Sequence, residues 1–219
     1  MTTSLEAPAG GRRLGVFPRF IPLAGRSLVY CFTLIPLATL ALLSTLVGRP
    51  ATAAAWWRAL RTRVLGRVLG RVLGRVLGPP ASRPTGARAI RPAPTAARPG
   101  VGVMLGHALL SLLLGAAALV PLGVELLFIL RGVFYGLVDH GPYNHSWGGP
   151  SRGGAWVAHF LIGLPISLAG VLILIGIAAV HQRLTAALDG YRLARWVIPV
   201  TLAIPLPAIA FFIAWLHQI

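Results

Sequence analysis

The chain of 219 residues contains no lysine, little acid and a single cysteine. Its positive charge comes from 20 arginines, and the net charge is +16 because only four acidic side chains oppose them: Glu6, Glu125, Asp139 and Asp189. The lone thiol, Cys31, excludes an intrachain disulfide framework and a cysteine metal site. No HExxH, GxSxG or comparable signature occurs. The sequence therefore predicts no enzyme activity, no cofactor and no metal.

Long apolar runs are what the chain has in excess. Four of them cover residues 27–48, 101–138, 155–180 and 196–216. A helix needs about 20 apolar residues to cross a hydrocarbon core of about 30 Å, and each run meets that length. The runs are continuous rather than alternating, which excludes an outer-membrane barrel. With 56% hydrophobic residues and a mean hydropathy of +0.78, the chain is predicted to be an all-α, multipass transmembrane helical bundle in the cell membrane.

Prolines and glycines inside these runs predict a bent bundle. Five prolines are expected to kink their helices: Pro36, Pro121, Pro165, Pro199 and Pro205. Gly163 and Gly170 are expected to let neighbouring backbones approach.

Composition divides the chain into four parts. Residues 1–26 form a basic tail, and 27–66 hold the first membrane segment with an amphipathic cytoplasmic piece. Residues 67–100 form an Arg/Gly/Pro-rich linker whose composition cannot build a core, so disorder is predicted. Residues 101–219 carry three further membrane helices with an outer loop at 139–154.

Four copies of Arg-Val-Leu-Gly run from Arg63 to Gly78. On a helix, Arg63, Arg67, Arg71 and Arg75 would share one face and could bind anionic lipid at the cytoplasmic surface. The four glycines oppose a helix in water, since each costs about 1 kcal/mol relative to alanine. Expansion of a tolerated linker by DNA slippage is the favoured alternative, and nucleic acid is not an expected partner.

The arginines also predict the orientation of the bundle in the membrane. Loops 49–100 and 181–195 are rich in arginine, whereas loop 139–154 holds only Arg152, so the first two are assigned to the cytoplasm. Four simple crossings then leave the basic tail outside. A segment 27–60 that dips in and returns would bring the tail inside, but a lipid-exposed turn leaves backbone groups unpaired. Four simple crossings are therefore favoured.

Residues 27–190 resemble the actinobacterial sensor domain family, a multi-helix membrane module usually found in front of sensor histidine kinases. The resemblance rests on the Pro-bearing apolar helices, on Tyr143-Asn-His-Ser-Trp-Gly-Gly-Pro150 and on His181-Gln-Arg-Leu-Thr-Ala-Ala-Leu-Asp-Gly190. Here the first half is shorter, and another apolar segment follows instead of a phosphoacceptor helix and ATP lid. The resemblance therefore implies a sensor whose histidine kinase or regulator is a separate chain.

Loop 139–154 is the densest polar cluster beside the membrane. Its candidate ligand-binding or pH-sensing residues are Asp139, His140, Tyr143, His145 and the nearby His159. The imidazoles and the carboxylate could also meet at a divalent metal, although the spacing fits no metal motif. An ordinary loop with an interfacial aromatic belt is the simpler interpretation. A triad of Asp139, His145 and Ser146 can be written, but no oxyanion donors accompany it.

Glu125 is the one carboxylate inside an apolar run, and intramembrane ionisable groups point to function by default. It could have a proton or ligand role, but a pair with Arg131 or a position in a helix extension at the membrane interface is the simpler interpretation. His107 and His181 are predicted to be helix-end residues near the headgroups. The sequence is compatible with three functions. A non-enzymatic sensor is favoured, and the alternatives are a small transporter or its accessory subunit and a membrane scaffold.

Overall fold

The computed structural model describes residues 17–65 and 99–217. The basic tail before Phe17, most of the linker and the last two residues lie outside this range. Of the repeated arginines, Arg63 is described, whereas Arg67, Arg71 and Arg75 are not.

Every regular element in the described ranges is helical, so the all-α prediction is confirmed. In chain order the helices are α1 (Phe17–Leu46), α2 (Pro50–Leu60), α3 (Val101–Leu127), α4 (Tyr135–Val138), α5 (Arg152–Ala187), α6 (Val197–Ala203) and α7 (Pro205–Leu216). Helices α2 and α3 each continue into a π-helical turn, Arg61–Leu65 and Phe128–Val133 respectively.

Four segments are long and apolar enough to cross a membrane, as predicted. They are Phe20–Leu46, Val101–Val133, Arg152–Ala187 and Val197–Ala214. The first helix starts ten residues before the predicted apolar run, because Leu23 continues the buried face that Ser27, Tyr30 and Leu34 form further along α1. The part of the predicted tail from Phe17 onwards is therefore helical.

The prolines affect the helices unequally. Pro36, Pro121 and Pro165 lie inside unbroken helices. The last apolar run is divided at Ile204, where α6 ends and Pro205 begins α7. Proline has no N–H to donate and its ring crowds the preceding turn, so a helix is readily interrupted there.

The chain turns back after α1 rather than within it. Gly48 has φ +78°, which glycine adopts without strain, and Pro50 begins α2 two residues later. Helix α2 packs against α1, and small side chains on both helices are fully buried, among them Ala41, Ala53 and Ala54. Helix α1 passes Pro36 unbroken, so within residues 27–60 the chain turns at Gly48–Pro50.

Contacts at one end of the bundle join the two arginine-rich segments. Arg58 lies near the end of α2 and forms a salt bridge with Asp189, which follows α5. Trp57 of α2 also contacts His107 near the start of α3. Helix α2, the start of α3 and the end of α5 therefore lie together, and we call this the basic end. Loop 139–151 lies at the other end of α3 and α5, which we call the loop end. This agrees with the predicted grouping of the basic loops.

Candidate functional site

A cavity of about 530 Å³ opens at the loop end between α3, α5 and the connecting loop. We call it the outer cavity. Its lining includes Arg131, Tyr135, Asp139, Tyr143, His145, Ser146, Trp147 and His159 around the mouth, and Val124, Leu127, Phe128, Ile162 and Ile166 deeper between the helices. Four of the predicted site residues meet here: Asp139, Tyr143, His145 and His159. The fifth, His140, is exposed and does not line the cavity.

The loop is held in shape by bonds to Asp139. Its carboxylate Oδ1 accepts the Gly141 N–H at 3.1 Å, and its backbone carbonyl accepts the Tyr143 hydroxyl at 2.9 Å. Gly141 has φ +88°, a conformation that favours glycine. The Gly141 N–H lowers the pKa of Asp139 below its ordinary value, and the Tyr135 hydroxyl and the Arg131 charge act in the same direction. Asp139 therefore carries a negative charge at neutral pH.

His159 forms one wall of the cavity. Its ring stacks on Tyr135 with centroids 4.5 Å apart, and its Nδ1 lies 2.8 Å from the Ala155 carbonyl. A carbonyl can only accept, so Nδ1 carries the proton. In the neutral ring the Nε2 lone pair remains to accept a hydrogen bond or a proton.

The geometry gives no support to metal or triad chemistry in this loop. No group of three or more His, Cys, Asp or Glu side chains in the described ranges could hold a metal ion. Ser146 Oγ has no hydrogen-bond partner among the same residues, so it forms no triad with Asp139 and His145. Adjacent side chains on a short turn point in different directions, which explains why the spacing did not bring them together.

Below the cavity, glycines on α5 make room for side chains of α3. A Cβ on Gly163 would lie 2.7 Å from the Phe128 ring, and one on Gly170 would lie 2.6 Å from Glu125 Oε1. The prediction that a neighbouring backbone approaches was therefore wrong at Gly163, whereas at Gly170 the Pro121 carbonyl oxygen of α3 lies 3.8 Å from the added Cβ. A closer approach occurs at Gly115, whose added Cβ would lie 3.2 Å from the backbone nitrogen of Ile35 on α1.

Glu125 is 8% exposed and faces α5. Its Oε2 accepts the Ser167 hydroxyl at 2.6 Å, while Oε1 has no hydrogen-bond partner among the described residues. The predicted alternative of a pair with Arg131 is wrong. Arg131 lies in the π-helical turn Phe128–Val133 that follows α3, and it lines the outer cavity instead.

Two histidines at the basic end form a buried polar cluster, contrary to the prediction that they sit near the headgroups. His181 is fully buried on α5, and His107 is buried on α3. Ser111 donates its one proton to the His107 carbonyl at 2.6 Å, so it must accept from His181 Nε2–H at 2.8 Å. His181 Nδ1 then accepts the Tyr30 hydroxyl at 2.7 Å. The hydrogen bonds thus fix the tautomer of His181 and join α1, α3 and α5.

Trp57 on α2 covers this cluster. Its ring centroid lies 5.2 Å from that of His107 and 4.8 Å from that of His181, and the side chain is fully buried. A short amphipathic helix outside the candidate spans therefore closes the basic end of the bundle.

Next to Trp57, a salt bridge secures α2 to the end of α5. Arg58 Nε donates to Asp189 Oδ1 at 2.7 Å, and the same guanidinium donates to the Leu188 carbonyl at 2.9 Å. Arg61 donates to the other carboxylate oxygen of Asp189. We call these three charged residues the latch. Nothing in the sequence indicated it, because Arg58 and Asp189 are 131 positions apart.

Comparison of the chain with protein-family models, with curated proteins and with solved structures finds no match in any of the three. The resemblance to the sensor domain family accordingly stays a prediction. Function must be argued from the outer cavity, the buried Glu125 and the latch.

Proposed function

We propose that the chain is a non-enzymatic integral protein of the cell membrane that senses an extracytoplasmic signal and relays it to a separate cytoplasmic partner. The outer cavity receives the signal, and the basic end passes it on. This is the role that the resemblance to sensor domains implies, with a histidine kinase or regulator as the partner.

One observation carries this proposal: a single unbroken helix connects the two ends. Helix α5 runs over 36 residues from Arg152 to Ala187. It contributes His159 to the outer cavity and His181 to the buried cluster, and Asp189 of the latch follows it directly. From His159 to His181 the helix covers about 33 Å at 1.5 Å per residue. A shift or rotation of α5 at the cavity therefore moves the latch as well.

Movement of α5 acts on α2 through the latch. Helix α2 leads into the arginine-rich linker, so release of α2 changes where the linker and its charges lie at the cytoplasmic face. Arg63, which follows the latch within the same π-helical turn, begins that basic segment. Anionic lipid and an acidic surface of the partner would both attract it.

The test reports docking of α2 through a cysteine placed at the fully buried Ala54. In a Cys31→Ala background, Ala54→Cys is labelled with a maleimide in nanodiscs, and alanine is then substituted along Asp139–Trp147 and at His159. Substitutions that line the outer cavity should change the labelling rate several-fold. If all of them leave the rate unchanged, the cavity does not communicate with the latch and the proposal fails.

His140→Ala is the matched control in this scan. It belongs to the same loop and is exposed, but it does not line the cavity. It should label at the rate of the parent protein. A change caused by His140→Ala as large as that caused by Asp139→Ala would indicate a general effect on the loop rather than a site.

Glu125 favours a second function, a small transporter or its accessory subunit. A buried carboxylate with one unbonded oxygen, close to Pro121 and opposite Ser167, is the kind of group that binds a proton or a cation during transport. Glu125→Gln should abolish a proton flux in reconstituted vesicles if transport is the function, with Ser167→Ala reducing it. An unchanged flux in Glu125→Gln would rule this function out.

A further inference from the structure

The outer cavity extends across the boundary of the candidate membrane spans. Its deeper residues, from Val124 to Phe128 and from Ile162 to Ile166, belong to two of these spans, and so do Arg131 and His159 at its mouth. The rest of its mouth, from Tyr135 to Trp147, lies beyond them. One half is therefore at the depth of lipid chains and the other at the depth of headgroups.

The mouth offers both signs of charge without pairing them. Asp139 and Arg131 line it, and neither takes part in a salt bridge among the described residues. Around them stand aromatic rings that suit an ammonium group, since Tyr135, Tyr143 and Trp147 also face the cavity. A ligand group with one positive and one negative charge would satisfy both side chains at once.

The deeper half is apolar and open to the side. Leu127 is 58% exposed, Ile162 is 45% exposed and Ile166 is 52% exposed. A purely polar ligand would leave these side chains uncovered. A purely apolar one would leave the charges of Asp139 and Arg131 without an ionic partner in the ligand.

From this arrangement we infer that the outer cavity binds a zwitterionic single-chain amphiphile that enters from the outer leaflet. Its ammonium group lies against Asp139 and the aromatic rings, its anionic group binds Arg131, and its chain lies along Leu127, Ile162 and Ile166. This inference rests on the proposed function, because it names the ligand of the same cavity.

Native mass spectrometry of the full chain in a non-ionic detergent tests the ligand class. The probes are lysophosphatidylcholine, lysophosphatidic acid and an alkyltrimethylammonium of equal chain length. The wild type should retain the zwitterion at least about tenfold more strongly than either singly charged probe, since each charged probe lacks one charge-assisted contact. Equal retention of all three probes would overturn the inference.

Two charge variants distinguish a changed ligand preference from misfolding. Asp139→Asn should shift preference towards lysophosphatidic acid, and Arg131→Gln should shift it towards the alkyltrimethylammonium. A misfolded variant would lose all three probes and could not produce opposite shifts. Preferences that stay as in the wild type in both variants would also overturn the inference.

The cysteine at position 54 separates this inference from the proposed function. If cavity substitutions change its labelling while the probes show no preference, the cavity senses a ligand of another class. If the zwitterion is retained selectively but labelling never changes, the cavity binds an amphiphile without signalling through the latch. His140→Ala should leave the retention of every probe as in the wild type.

Discussion

Removing the charge of Asp189 should release α2 from the end of α5. Asp189→Asn keeps one carbonyl oxygen, which can still accept from one arginine, but it replaces the other oxygen with an NH₂ group that cannot accept, so either Arg58 or Arg61 loses its acceptor. Hydrogen bonds that involve a charged group contribute about 1.5–3 kcal/mol, so the loss of one of them amounts to about 2 kcal/mol.

That figure must be reduced, because the latch is partly exposed. The side chains of Arg58, Arg61 and Asp189 are 30%, 22% and 18% exposed, and water screens part of their attraction. We expect about 1 kcal/mol for docking of α2, which corresponds to roughly a fivefold larger undocked population. The buried contact of Trp57 with the histidines should keep most molecules docked.

The assay is the maleimide labelling rate of Ala54→Cys in the Cys31→Ala background. When opening and closing are fast, that rate follows the population of the open state, so Asp189→Asn should raise it about fivefold. Arg61→Gln should act in the same direction. Arg63→Gln is the control, because this neighbouring arginine does not contact Asp189. A rate within twofold of the parent in Asp189→Asn would refute the reasoning that the salt bridge holds α2.

Three further predictions concern stability and pH. Gly170→Ala should lower the free energy of unfolding in detergent by about 1–3 kcal/mol, because its new Cβ would lie 2.6 Å from Glu125 Oε1. Ser111→Ala should lower it by about 1–3 kcal/mol, because His181 Nε2–H would lose its acceptor within the bundle. The pKa of Asp139 is lowered in the folded loop, so its contribution to loop order is complete above the unfolded pKa and is lost as pH falls through the folded one. An NMR titration of the loop amides should give a midpoint below 3.8.

Each of these three has its own control and contrary result. Gly176→Ala on the same helix meets nothing within 4 Å and should be neutral or stabilising, so equal losses at both glycines would contradict the clash. Thr39→Val is the control for Ser111→Ala. It removes an exposed hydrogen bond to the Ile35 carbonyl and should change the free energy of unfolding by less than about 0.5 kcal/mol. Asp139→Asn should abolish the low-pH transition, and its persistence there would assign the transition to another group.

The sequence already located much of the site at the loop end. Asp139, Tyr143, His145 and His159 were predicted from polar residues close together along the chain, and all four line one cavity. Arg131, Tyr135 and Trp147 complete the mouth and were missed as ligand-binding residues, because each lay in an apolar run or was interpreted as part of an aromatic belt. Their side chains turn towards the cavity only once α3 and α5 pack together.

The basic end was predicted less well for a similar reason. His107 and His181 lie near the ends of apolar runs, where histidine usually meets headgroups. The structure instead buries them under Trp57, with Tyr30 and Ser111 as partners. The arginine content did predict that loops 49–100 and 181–195 lie on one side of the membrane, and Arg58 and Asp189 from these two loops are bonded in the structure.

By itself, the amino-acid sequence determines the length of each apolar segment and which polar residues lie close together along the chain. About 20 uncharged residues in succession must form a helix to pair their own backbone in lipid, and the arginines between them separate one end of the bundle from the other. Which side chains meet was decided only by the tertiary structure. Tyr30 and His181 are 151 positions apart, and Arg58 and Asp189 are 131 apart. Such pairs depend on how each helix is rotated about its axis and where it crosses its neighbours. The pattern of residues along one segment does not specify either.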